Sequence, residues 1–125
     1  MMKLNLLQLK FQNASFYNSA ETFRNVEMQI DVNHELQPNT EDKSKFRTKT
    51  TVSIYPKNPT SIDGEFKVRM EMIAVFDITD TNYENNEIHN ETFRFVFPYL
   101  RSAVASLLSS VEFPALHIPF MEANL

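Results

Sequence analysis

The run of residues 66–79 constrains this chain more than any other stretch. Phe66, Val68, Met70, Met72, Ala74, Phe76 and Ile78 fall at every second position, with Lys67, Arg69, Glu71, Ile73, Val75, Asp77 and Thr79 between them. Successive side chains of a strand point to opposite faces, so alternation of this length specifies a β-strand with one wholly apolar face. The other face begins charged and turns apolar at Ile73 and Val75, which predicts that it is covered at one end. Such a strand needs paired neighbours and a second layer to bury its apolar side.

Weaker copies of the pattern supply the neighbours. Val26, Met28, Ile30 and Val32 alternate with Glu27, Gln29, Asp31 and Asn33. Phe46, Thr48, Thr50, Val52 and Ile54 alternate with Arg47, Lys49, Thr51 and Ser53. Leu7, Leu9 and Phe11, with Phe16 nearby, predict a first strand with an irregularity around Asn13. Residues 37–42 and 56–64 carry the Pro, Asn, Asp and Gly of hairpin loops. The polar stretch 79–91 reads as a crossing connection. A helix is then predicted from Pro98 to about residue 112, uncharged between 102 and 111. The expected fold is α+β: a four-stranded antiparallel sheet packed with a long C-terminal helix, one domain over residues 1–125.

Two faces of that helix differ. Leu100, Val104, Leu107, Leu108 and Val111 form an apolar stripe. It serves the sheet or a second chain, and its residues are the candidate oligomer interface. Ser102, Ala105, Ser106 and Ser109 lie off the stripe and are small. Close approach of a second helix and plain exposure to water fit them equally.

Composition removes several function classes. One glycine in 125 residues cannot build a phosphate-cradling loop of the nucleotide-binding type. A net charge of −4 argues against a nucleic-acid binder driven by phosphate contacts. The absence of cysteine removes disulfides, thiolate metal sites and a Cys nucleophile. His34, His89 and His117 have no metal-ligand spacing and are expected at the surface or a rim. Glu41 and Asp42 sit in a hairpin loop, where solvation is their usual role. The triplets at Asn13 and Asn90 matter only in a secreted protein. The opening residues lack a long apolar run and a small-residue cleavage site, and nothing approaches a membrane span. A cytoplasmic protein without membrane insertion, metal or cofactor is expected, and not an enzyme. Eleven phenylalanines exceed what a core of this size needs, so some are candidates for a binding surface.

Two Phe-Pro motifs bracket the uncharged helix: Phe97-Pro98-Tyr99-Leu100-Arg101 and Phe113-Pro114-Ala115-Leu116. Their sequence and separation resemble the SecB family of export chaperones. The strand at 66–78 is similar to that family's last strand, and Ser15-Phe16 to a Ser-Phe pair in its first. The specific motifs cover about 30 residues, and strand order extends the likeness weakly over the rest.

The resemblance implies a homo-oligomer, a dimer of dimers with its long helices sandwiched between. It further implies an ATP-independent holdase for unfolded polypeptide clients. Phe93, Phe95, Phe97, Tyr99, Phe113, Leu116, Ile118 and Phe120 are the candidate client-binding residues. Phe93, Phe95 and Phe120 fit a groove best; Phe97 and Phe113 fit anchors of the helix, with the prolines fixing its ends. An aromatic groove with open polar edges can hold many different sequences.

Departures from the family bear on its partner. The acidic residues that dock the translocase motor SecA correspond here to Asn13 and Tyr17, and lost charge weakens electrostatic docking. The Gly-rich segment after the last strand is replaced by Asn85-Asn86-Glu87, and with an end at Leu125 no long acidic tail is expected. Chaperoning is therefore carried further than export. A chaperone dedicated to one client such as an antitoxin, a non-chaperone adaptor on the same fold, and a small hot-dog-like enzyme are the alternatives. The last needs an acid or His beside the helix, which the uncharged run does not offer.

Overall fold

The computed structural model describes residues 3–19, 27–42, 44–58, 65–79 and 84–110. Four strands precede one helix: β1 (Leu4–Asn18), β2 (Met28–Pro38), β3 (Lys45–Pro56), β4 (Phe66–Ile78) and α1 (Asn85–Ser110). The α+β expectation holds. All pairings are antiparallel and the order across the sheet is β1-β4-β3-β2. The last three strands form a meander, and the first lies beside the last, a Greek-key order.

Every second residue of β4 from Phe66 to Ile78 is buried. Phe46, Thr48, Thr50, Val52 and Ile54 of β3 continue that buried face, with Met28, Ile30, Val32, His34 and Leu36 of β2 beyond. On the outer face Ile73 is also buried, as its apolar character predicts. Glu71 is buried beside it and holds Arg69 at 2.8 Å. The β2–β3 hairpin is shaped by Asp42, whose carboxylate accepts the Ser44 amide at 3.0 Å and its hydroxyl at 2.6 Å. Those two bonds hold the Asp42 pKa below the usual carboxylate range, so this residue builds the turn rather than merely solvating it.

Strand β1 departs from the simple alternation. Its register against β4 shifts between Leu6 and Gln8 and again between Phe11 and Asn13. Each extra residue is a bulge, and a one-residue slip exchanges the two faces. Leu4, Leu6, Leu9 and Phe16 consequently pack on the core, while Leu7 is 53% exposed and Phe11 43%. The first strand and its irregularity near Asn13 match expectation, while the alternation of Leu7, Leu9 and Phe11 does not mark one buried face. Phe16 meets Phe66 edge-on, with ring centroids 5.6 Å apart.

The helix begins at Asn85, thirteen residues ahead of Pro98, so residues 85–91 are helical rather than a connection. Its buried stripe runs Ile88, Thr92, Phe93, Val96, Phe97, Leu100, Val104 and Leu108, at spacings of one, three and four residues. The stripe passes through Pro98 without a change of face. A proline inside a helix loses an N–H and crowds the preceding turn, costing about 3 kcal/mol or more. Burial of the large side chains on both sides offsets this, and Pro98 itself faces solvent.

Candidate functional site

Phe95, Tyr99, Ala103 and Leu107 recur every fourth residue on α1 and form a ridge along one shoulder of the helix. Phe95, Ala103 and Leu107 are half-buried against the core, and Tyr99 is 47% exposed. The Phe95 ring stands edge-on to Phe76 of β4, centroids 5.5 Å apart. On its other side it stacks with Tyr99, centroids 6.2 Å apart and planes 28° from parallel. No ionisable group except the Tyr99 phenol sits among these four. The ridge can therefore take apolar side chains from a partner while the phenol satisfies a backbone group.

Of the expected client-binding residues, the structure brings Phe95 and Tyr99 together and separates Phe93 and Phe97 from them. Phe93 is 2% exposed and Phe97 1%, both in the core. The anchor reading of Phe97 agrees with this placement. The groove reading of Phe93 is corrected, because two residues is more than half a helical turn, which sets Phe93 on the face pressed to the sheet. Leu100, Val104 and Leu108 are likewise covered by the chain's own sheet, which takes them out of the candidate oligomer interface. Phe113, Leu116, Ile118, Phe120, Val111 and His117 lie outside the described residues. Ser102, Ala105, Ser106 and Ser109 are exposed on the far side of the helix.

Sequence reasoning missed Ala103 as a ridge residue and assigned Leu107 to an interface. The four-residue spacing from Phe95 was the available signal, hidden by starting the helix at Pro98.

A polar clasp holds the N-terminal half of α1 to β2 and so fixes the ridge against the sheet. His34 is 7% exposed, not at a rim as expected. Its Nδ1 lies 2.7 Å from the Thr50 hydroxyl and its Nε2 2.9 Å from the Thr92 hydroxyl. Thr92 donates its only hydroxyl proton to the Ile88 carbonyl at 2.8 Å. It must then accept from His34 Nε2–H, and Thr50 donates to Nδ1, which assigns the Nε2–H tautomer. Neutral imidazole satisfies every bond of this set. Burial, and after it the neighbouring His89, lower the His34 pKa to about 3. His89 donates from Nε2 to the His34 carbonyl at 2.6 Å and meets its ring edge-on at 4.8 Å. Phe93 closes the other side of His34 at 5.3 Å.

Among the described residues no cluster of three or more His, Asp or Glu could hold a metal ion. No described helix is long and apolar enough to cross a membrane. The ridge offers apolar contact and one hydroxyl, and none of its four residues is an acid or a base.

Comparison with known proteins decides the family. The profile of the family described as Preprotein translocase subunit SecB matches residues 2–122. The chain belongs to the SecB family. It is thus a member of a family of chaperones, as the paired Phe-Pro motifs indicated. The SecB-like chaperone Rv1957 of Mycobacterium tuberculosis, solved in complex with a ChAD peptide from the HigA1 antitoxin, superposes with a TM-score of 0.70. Identity is 14%, over 98% of this chain and 93% of that one. At that identity the likeness speaks for the fold, which the two share. A protein of unknown function from Streptococcus agalactiae superposes at a TM-score of 0.48 with 10% identity, covering 96% of this chain and 99% of that one. No curated protein matches in sequence.

Proposed function

We propose that this SecB-family chain is an ATP-independent holdase that binds unfolded polypeptides along the Phe95–Tyr99–Ala103–Leu107 ridge. The observation that carries the reading is the stacked Phe95–Tyr99 pair, left partly in water on a helix whose other aromatics are buried. A client chain exposes apolar side chains, and covering the ridge removes apolar area from water at about 25 cal/mol per Å². Phe113, Leu116, Ile118 and Phe120 extend the same surface in this reading. The protein acts in the cytoplasm as a dimer of dimers. The small exposed residues Ser102, Ala105, Ser106 and Ser109 let the sandwiched helices approach closely, in place of the stripe that the sheet already covers.

The test is aggregation of two unrelated denatured proteins diluted into increasing amounts of this protein without ATP. Suppression of both is expected near one client per assembly. Phe95→Asp and Tyr99→Asp should each lower client affinity about tenfold, the scale of one lost apolar side chain, with the helical signal unchanged. Unchanged affinity in both variants removes the ridge from the site.

A second reading is favoured by one specific observation: the SecB-like chaperone of matching fold was solved with an antitoxin peptide. In that reading this chain serves one dedicated client such as an antitoxin, and it suppresses aggregation of neither unrelated protein. Docking to SecA is the least supported element, because Asn13 and Tyr17 supply no charge where acidic residues are expected.

A further inference from the structure

The outer face of the sheet, turned away from α1, carries a constellation that the ridge does not use. Register aligns its residues in rows across the strands. Lys10, Ile73, Lys49 and Glu35 form one row, and Gln8, Val75, Arg47 and Gln37 form the next. Among the described residues, Lys10, Arg47 and Lys49 make no ion pair; the pairs present are Lys45–Asp42, Lys57–Glu27, Arg69–Glu71 and Arg94–Glu91. Three cations that make no ion pair among the described residues thus gather around Ile73 and Val75 in a chain of net charge −4. A cleft of about 330 Å³ adjoins them at the β2–β3 hairpin, lined by the apolar Pro38, Phe46 and Val75 together with Gln37, Lys45 and Arg47.

We propose that this cleft and the cationic rows beside it bind an extended acidic segment of a partner polypeptide. Arg47 and Lys49 are two residues apart on one strand, which places them about 7 Å apart, the spacing of side chains i and i+2 in any extended segment. Carboxylates at alternate positions therefore meet both cations at once, and a guanidinium can take a carboxylate through two parallel bonds. Apolar side chains of the segment fill the cleft over Val75 and Pro38. Glu35 and Asp77 flank the cations and repel a continuous polyphosphate, whereas discrete carboxylates can avoid them. This surface lies on the opposite side of the sheet from the ridge and does not depend on the holdase reading.

Calorimetric titration with a blocked five-residue peptide alternating Glu and Val tests it, beside the Gln–Val counterpart and a ten-nucleotide oligothymidylate. The acidic peptide should bind at low salt and weaken as ionic strength rises. The Gln counterpart should bind about tenfold more weakly, and Arg47→Glu and Lys49→Glu should each lower affinity by about the same factor while melting unchanged. Equal binding of the two peptides, no binding of either, or indifference to both substitutions overturns the proposal. Tighter binding of the oligothymidylate at the same residues overturns it in favour of a nucleic-acid surface. Aggregation suppression by the same variants reads the ridge alone, so its absence in the unaltered protein would sink the holdase reading and leave this one standing.

Discussion

The two halves of α1 are held to the sheet by different chemistry. From Leu100 to Leu108 the buried face is entirely apolar, with Leu100, Val104 and Leu108 set into the core cluster. From Ile88 to Phe93 it is mixed, because Thr92 sits between Ile88 and Phe93 and bonds to His34 of β2. Apolar burial is indifferent to protons and only loosely directional. A hydrogen-bonded clasp fixes distance and angle, but it depends on the protonation state of one imidazole. The C-terminal half therefore supplies adhesion, and the N-terminal half sets where the helix lies and so where Phe95 and Tyr99 point.

Three experiments break or sharpen this contrast. Leu100→Ala, in the adhesive half, should cost about 2–5 kcal/mol in denaturant unfolding, by the same amount at pH 7.5 and at pH 4.5. A cost that changes with pH would show that the halves are not chemically separate. Acid should strike the clasp next. His34 is held to a pKa of about 3 when folded, against 6.5 for an ordinary imidazole, so between those values the unfolded chain binds more protons. Stability is then complete above pH 6.5 and falls as pH drops through it, by about 1.4 kcal/mol per unit. At pH 4.5 about 3 kcal/mol from this residue is lost. His34→Gln should flatten that dependence in a pH series of unfolding midpoints. Thr92→Val is the mildest change. It leaves the His34 Nε2–H without its acceptor and should cost about 1–2 kcal/mol, with amide exchange rising around residues 88–93 before 100–108.

Legibility in the sequence followed the same physical divide. Strand β4 is buried on one whole face and lies between two neighbours, so its alternation survives intact from Phe66 to Ile78. Strand β1 is an edge with two bulges, and each bulge resets which residues face inward, so the alternation of Leu7, Leu9 and Phe11 does not tell their faces. The adhesive half of the helix was readable from Leu100, Val104 and Leu108. Its clasped half was not, since Asn85, Asn86 and Glu87 carry loop-like composition and Pro98 reads as a beginning. His34 looked like a surface residue because its partners, Thr50 and Thr92, come from a different strand and from the helix. Of the candidate site, Phe95 and Tyr99 were named from sequence, whereas their separation from Phe93 depends on a helical phase that only the true start of α1 sets.

The position of β1 has a consequence for synthesis. Leu4 pairs with Ile78 and Asn18 with Phe66, so β1 leaves a ribosome well before its partner β4 has emerged. At roughly 5–20 residues per second, that interval is on the order of ten seconds. Throughout it, a nascent segment bearing Leu6, Leu7, Leu9 and Phe11 waits with its backbone unpaired. A chain proposed to shelter other polypeptides thus passes through their exposed state itself.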